Sequence, residues 1–295
     1  MTIQFQKAER TQRKFKLGLQ GPSGSGKTLG ALALATQIVG PGGRIALADT
    51  EGDSASLYAD RFKFDKVALE PPYLSSKYKE VMKAAADAEY DILIIDSLSH
   101  QWAGEGGILS RKEAADARGG SSFTNWARFT PEQEEFKAAI VNAPIHIIGT
   151  LRTKQDYVLE QDARGKAMPK KVGMAAVQRE GMEYELDVNF EIQMDHKAIA
   201  SKDRFDLFPT TELVDLLDGT VGKRLRDWMA GGKVVVIPEP TKESVASPDQ
   251  LSALRALALT DEEAKQIEKR IAKGMTLKQA DTAIANMQSR KPVEI

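Results

Sequence analysis

The eight residues GPSGSGKT, Gly21 to Thr28, restrict the fold of this chain more than any other stretch. They match G-x-x-x-x-G-K-[ST] in full. Phe15–Gln20 ahead of them reads as a strand, and LGALALATQIV behind them reads as a helix from about Lys27 to Val39. Gly24 and Gly26 permit torsions and a close approach that a Cβ would obstruct. Amides of such a loop can turn inward to cradle phosphate oxygens, and the helix N-terminus adds a favourable field. The expected nucleotide-binding set is Gly21, Pro22, Ser23, Gly24, Ser25, Gly26, Lys27, Thr28 and Leu29. Lys27 is expected to reach the β and γ phosphates of ATP, with Thr28 Oγ1 on Mg²⁺.

The rest of the chain is consistent with a strand–loop–helix start. Arg44–Asp49 and Val67–Leu69 read as strands, 54–62 and 73–89 as helices. Asp91–Asp96 (DILIID) is a nearly unbroken apolar run, which suits a central parallel strand covered on both faces. A helix at about 131–142 and a strand at Ile145–Leu151 follow. Strands alternating with helices predict an α/β wound, mostly parallel sheet. Residues 153–183 read as a long basic loop, and 186–195 with 198–208 as an antiparallel pair added at the edge. Helical patterns come at 211–217, 220–229 and throughout 249–289, where Thr260 and Thr276 are the expected N-caps. The expected organisation is a basic N-terminal arm (1–14), a core (15–235), a linker (236–248) and a small helical module (249–295).

A phosphate loop needs acidic partners. Asp96 ends the DILIID strand, on the edge where the loop lies, and is expected to help hold Mg²⁺. Asp49 ends the neighbouring strand, and Glu51 stands two residues beyond it. In extended backbone both side chains face one way. Glu51 has the longer reach and is assigned to the attacking water, with Asp49 placing water or metal. Asp53, before Ser54-Ala55-Ser56, is expected to cap the next helix. Thr150, in HIIGTLRTK (146–154), is placed to contact the γ phosphate or the water, and Arg152 and Lys154 to contact phosphate or nucleic acid.

In order, GPSGSGKT (21–28), DTE (49–51), LIIDS (93–97) and IIGTLRTK (147–154) resemble the RecA/Rad51-like recombinase core. FTNWARFTPEQEEF (from 123), PKKVGMAAVQREGMEY (from 169) and SKDR (201–204) resemble the phage Sak4-like AAA-type ATPases, which are single-strand annealing proteins. The resemblance covers about 15–235. It implies a RecA-like P-loop ATPase, Mg²⁺-dependent and stimulated by DNA, that assembles as a ring or filament. It also implies action on single-stranded DNA in homologous annealing, with a single-strand-binding protein as a candidate further partner. The same resemblance places Lys202 and Arg204 where cations reach the nucleotide of an adjacent subunit; pairing with Asp203 or Asp206 is the alternative.

Charge gives DNA contact a separate case. Net charge is −1, yet residues 152–179 hold seven Lys/Arg against three Asp/Glu. Arg164, Lys166, Lys170, Lys171 and Arg179 are therefore the expected DNA-binding residues, acting on the phosphate backbone. The absence of Cys excludes disulfides and thiolate metal sites and fits a reducing cytoplasm, that of the host if the chain is phage-encoded. The first residues do not read as a signal peptide, and no run is long enough to span a membrane. Two other function classes remain open on the residues alone: a P-loop small-molecule kinase, and a nucleotide-gated assembly protein with little turnover.

Overall fold

In the computed structural model, residues 7, 13–119, 121–161, 167–231, 246–258, 260–272, 275 and 277–288 are described, the side chains of 155–174, 277, 278 and 288 excepted. The chain divides into two compact units, residues 1–234 and 235–295.

The first unit begins with β1 (Lys16–Gly21) and α1 (Lys27–Val39), then β2 (Ile45–Asp49), a 3-10 turn (Ser54–Tyr58) and β3 (Asp65–Ala68). Next come α2 (Ser75–Asp87), β4 (Ile92–Asp96), α3 (Ser99–Ala103), α4 (Ile108–Ala117) and α5 (Ser122–Asn142). The unit closes with β5 (His146–Gln161), β6 (Ala167–Ala176), α6 (Met182–Glu185), β7 (Val188–Ile192), β8 (Lys197–Asp203), β9 (Leu213–Asp215) and α7 (Thr220–Ala230).

Among the described residues the sheet has nine strands in the order β3-β2-β4-β5-β1-β7-β8-β9, with β6 paired to β5 alone. From β3 to β7 every neighbour is parallel; β8, β9 and β6 are antiparallel additions. This is the wound α/β fold expected from the sequence. β4 shows why its apolar run is unbroken: Ile92 and Ile94 join the core under α1 and α7, while Leu93 and Ile95 join the core under α2 and α5. Burying one such side chain fully contributes about 1.5–3 kcal/mol, so both layers are fastened through this strand.

Several expectations are corrected. Residues 153–161 and 167–176 are strands and not loop: β5 continues beyond the sheet and pairs with β6 from Thr153↔Ala176 to Gln161↔Ala167 as a two-stranded ribbon. Residues 213–215 are strand β9, because Lys197↔Asp215 pairing at the sheet edge overrides a helical pattern. Residues 54–58 form a short 3-10 turn. Asp53 holds its N-cap place with φ 68°, yet its carboxylate accepts from Ser56 and Lys66 side chains and no helix amide. α5 starts nine residues before the expected 131, capped by Ser121 Oγ accepting from Thr124 N (3.1 Å); Pro131 lies inside the helix, not at its start. α3 and α4 were not anticipated.

Lys16 and three glutamines settle buried polar demands. Lys16 Nζ donates to the carbonyls of Ala143 (2.9 Å) and Ile145 (2.7 Å) beyond the end of α5; burial pushes its ammonium down to about 8. Gln101, Gln133 and Gln178 form a closed cycle in which each Nε2 donates to the next Oε1, at 3.1, 3.3 and 3.4 Å. Gln178 Nε2 also donates to Leu98 O, and its Oε1 accepts from Arg179 N. The cycle joins α3, α5 and the end of the ribbon.

In the second unit, α8 (Pro248–Ala256), α9 (Asp261–Ala272) and α10 (Leu277–Gln288) surround Leu254, Ile267 and Ala280. Ser247 and Gln250 form a capping box on α8, and Thr260 Oγ1 accepts from Glu263 N. Thr276 and most of the expected linker lie outside the described residues. Among those described, no helix is long and apolar enough to cross a membrane.

His146 gives the fold a pH dependence. Burial, reinforced by the Lys14 and Lys16 charges, pushes its imidazole down to about 3, and Nδ1 accepts from Phe15 N (3.2 Å). Between the unfolded value of about 6.5 and the folded value, only the unfolded chain takes up this proton. Stability is then lost as pH falls, by at most about 1.4 kcal/mol per pH unit. Urea midpoints between pH 7 and 5 should fall less steeply for His146→Gln than for wild type; equal slopes would remove this residue from the account.

Candidate nucleotide site

β1 delivers the phosphate loop to the C-terminal edge of the sheet. Its Gly18 is required by packing: a Cβ would lie 2.2 Å from Asn189 Oδ1 and 2.5 Å from Leu186 Cδ1. Gly24 (φ 81°) and Gly26 (φ 88°) turn the loop in the left-handed region. No side chain caps α1 and no acidic residue occupies its first turn, so nothing competes there with an anion. Ser23, Gly24, Gly26, Lys27, Thr28 and Leu29 line a cleft of about 370 Å³. Gly21 and Pro22 stand behind it, their carbonyls accepting from Lys27 Nζ at 3.0 and 2.8 Å. Ser25 is buried beside Gly21, where its hydroxyl would meet any Cβ at 2.5 Å.

At the base of the cleft, Asp96 is 2% exposed. Its Oδ2 accepts from Thr28 Oγ1 (2.5 Å), and its Oδ1 from Thr150 Oγ1. Burial pushes this carboxyl up; the hydrogen bonds from Thr150 and Thr28 oppose the rise, and the Glu51 and Asp49 charges add to it. Thr150 thus orients Asp96. Burial lowers the Lys27 ammonium, against the attraction of Asp96 and Glu51.

The DTE stretch divides its labour. Asp49 turns into the protein and accepts from Glu51 N (2.6 Å) and Ala55 N (3.3 Å), closing the loop after β2. Thr50 fastens β2 to β4: its hydroxyl accepts from Ser97 N (2.7 Å) and lies 2.6 Å from His100 Nδ1. Glu51 reaches the cleft, where Arg152 grips it in bidentate fashion, with Nε on Oε1 at 2.7 Å and Nη2 on Oε2. Burial alone would raise the Glu51 carboxyl, but the Arg152 bonds and charge, with smaller help from His100 and Ser97, hold it below the ordinary carboxylate range. Arg152, expected at phosphate or nucleic acid, pairs with Glu51.

Lys202 and Arg204 stand elsewhere. Lys202 pairs in register with Asn189, which faces Gly18, so both cations lie toward the end of the sheet opposite the loop. Lys202 Nζ donates to the carbonyls of Glu183 (3.1 Å) and Tyr184; Arg204 donates to Tyr184 O (2.7 Å) and pairs with Asp187 (3.6 Å). Neither pairs with Asp203 or Asp206. Arg179 lies against α5, donating to Thr130 Oγ1 (3.3 Å). The side chains of Arg164, Lys166, Lys170 and Lys171 lie outside the described residues.

Sequence reasoning missed four residues of the cleft wall: Ser54, Leu57, Tyr58 and His196. His196 Nδ1 is 3.0 Å from Ser25 O, and its backbone has φ 67°. It sits in the turn between β7 and β8, which reaches the loop because β7 runs parallel beside β1. Its placement in a strand-joining turn was legible; the neighbour of that strand was not.

The donor set fits a magnesium-bound nucleoside triphosphate. A hydroxyl and a carboxylate meet beside a glycine cradle, and among the described residues no cluster of three or more His, Cys, Asp or Glu side chains offers an all-protein metal cage. Mg²⁺ suits such a site, since it takes one or two protein ligands and completes its shell with phosphate and water. Thr150→Val should strip a donor from the buried carboxylate, weakening Mg²⁺-dependent binding of a fluorescent ATP analogue about tenfold. The pH below which binding is lost should also move upward, because a less well-solvated carboxylate protonates earlier. Titrations from pH 5.5 to 8 with unchanged affinity and midpoint would show the hydroxyl to be irrelevant.

The sequence model of a family described as an AAA domain matches residues 13–246. No curated protein matches the chain. Among solved structures, a KaiC-like protein of the hyperthermophilic archaeon Pyrococcus horikoshii OT3 is similar, with 14% identity over 67% of this chain and 82% of that one and a TM-score of 0.38.

Proposed function

From the premise that the chain belongs to the AAA domain family of P-loop ATPases, we propose that it hydrolyses ATP at this cleft and works on single-stranded DNA in recombination of the phage type, assisting homologous annealing. The observation that carries the reading is the meeting of Lys27, Thr28, Asp96 and Glu51 around one cleft. Thr28 and Asp96 would hold Mg²⁺, which neutralises phosphate charge when bound. Lys27, now resting on loop carbonyls, is free to exchange them for phosphate oxygens. Glu51 orients and polarises the attacking water once Arg152 releases it, and Arg152 then has the triphosphate charge as its alternative partner. Asp49 holds the turn that carries Glu51.

The single-stranded DNA part rests on the basic composition of the ribbon and on its position, because β5 leaves the sheet at the same edge as the cleft. Assembly of several copies would give Lys202 and Arg204 a role, since they lie too far along the sheet to serve their own subunit's nucleotide. The Glu51–Arg152 pair also favours a second reading, a nucleotide-gated protein with little turnover, because a carboxylate held this way makes a poor base.

Phosphate release measured with and without single-stranded DNA separates these readings. The expected result is low basal release that DNA raises severalfold, with Glu51→Gln lowering release at least 100-fold (an order-of-magnitude figure for loss of acid–base assistance) while nucleotide binding persists. Binding without release under both conditions would favour the gated reading. ADP formation that needs a small-molecule acceptor, with no phosphate released, would point to a kinase and overturn the proposal.

A further inference from the structure

Away from the cleft, aromatic side chains of α3 and the first turns of α5 lie beside cations of α4. Phe123 is 86% exposed, more than any other large apolar side chain among those described. One helical turn on, Trp126 is half-buried and stacks on Trp102, with ring centroids 5.6 Å apart and planes 12° from parallel. Cations surround these rings. Lys112 Nζ and the Arg179 guanidinium lie 5.1 and 5.7 Å from the Trp126 ring centre, and Arg111 lies 5.5 Å from that of Phe129.

Position adds to composition. α3 follows β4, and α5 runs back toward the start of β5, so the N-terminal end of α5 faces the edge of the sheet where the cleft opens. Arg179, three residues beyond β6, reaches Thr130 on α5 and so places the patch at the foot of the ribbon. Arg111 and Lys112 are neutralised by Glu132 and Asp116, whereas exposed Arg118 and Arg128 have no ion pair among the described residues. An apolar peptide groove would not ordinarily carry exposed, unpaired arginines on the helices that bear its rings. Rings flanked by cations are what a single strand requires: each base has a face to stack, and each phosphate a charge to neutralise.

We infer that this surface is a stacking platform for the bases of single-stranded DNA, at the foot of the ribbon and centred on Phe123 and Trp126. The inference rests on the reading of the protein as a single-strand-binding ATPase and specifies how bases, beside backbone phosphates, are held. It changes the expected mode of binding, because the sequence alone suggests mostly electrostatic contact with the phosphate backbone.

The test is anisotropy of a labelled oligo-dT with the full chain, at several salt concentrations, beside an abasic oligonucleotide of equal length. Wild type is expected to prefer oligo-dT. Phe123→Ala should weaken oligo-dT binding about tenfold, the effect of losing one stacked base, with the salt slope unchanged and the preference over the abasic strand reduced. Phe123→Tyr should restore both, while Arg118→Ala with Arg128→Ala should flatten the salt slope. Equal affinity of Phe123→Ala and wild type would overturn the platform and leave the proposed function standing, as would a change of oligomeric state in that variant by light scattering, which would mark a contact between copies. Failure of wild type to bind either strand would overturn both.

Discussion

A carboxylate buried as deeply as Asp96 is costly to keep charged; without partners the penalty is several kcal/mol. Two hydroxyls offset that cost, and they come from different parts of the sheet: Thr28 from the start of α1, Thr150 from β5. The strand order makes this possible. With β5 between β4 and β1, a side chain from β5 and one from the β1–α1 junction converge on the end of β4. Topology and electrostatics therefore meet at one residue.

The surroundings of Asp96 are divided between rigid and exchangeable contacts. Thr50 and Asp49 are committed to backbone partners and fix the path of β2 beyond the sheet. Lys27 and Arg152, by contrast, hold partners that a polyanion can replace: two carbonyls in one case, the Glu51 carboxylate in the other. A triphosphate entering this cleft would find its cations already nearby, each on a partner that it can replace. Preorganisation of this kind lowers the reorganisation that binding must otherwise impose.

Much of this was legible in the sequence, for identifiable reasons. The phosphate loop is a local pattern whose meaning lies in eight consecutive residues, and α1 and β4 have periodicities that admit one reading. Asp96 and Glu51 could be assigned to the cleft because parallel strands bring their C-terminal ends to one edge. Failures came where structure depends on distant partners. The strands 153–161 and 167–176 are set by their pairing with each other, and β9 by its β8 neighbour. The helix expected from about 131 in fact begins at Ser122, under the Ser121 cap. His196 and the Glu51–Arg152 pair each join residues separated by a hundred positions or more, and no spacing rule records such meetings.

The cycle of Gln101, Gln133 and Gln178 has a consequence beyond packing. An amide carries a donor at one end and an acceptor at the other, so three of them in a closed loop run either clockwise or anticlockwise, with no mixed arrangement that leaves every group satisfied. The Leu98 carbonyl can only accept and the Arg179 amide can only donate, which selects one sense of rotation. No member can turn over alone without stranding its neighbours in a dry interior. The returning chain of the ribbon is thereby keyed to the helix that follows Asp96, as a tooth is keyed to its wheel.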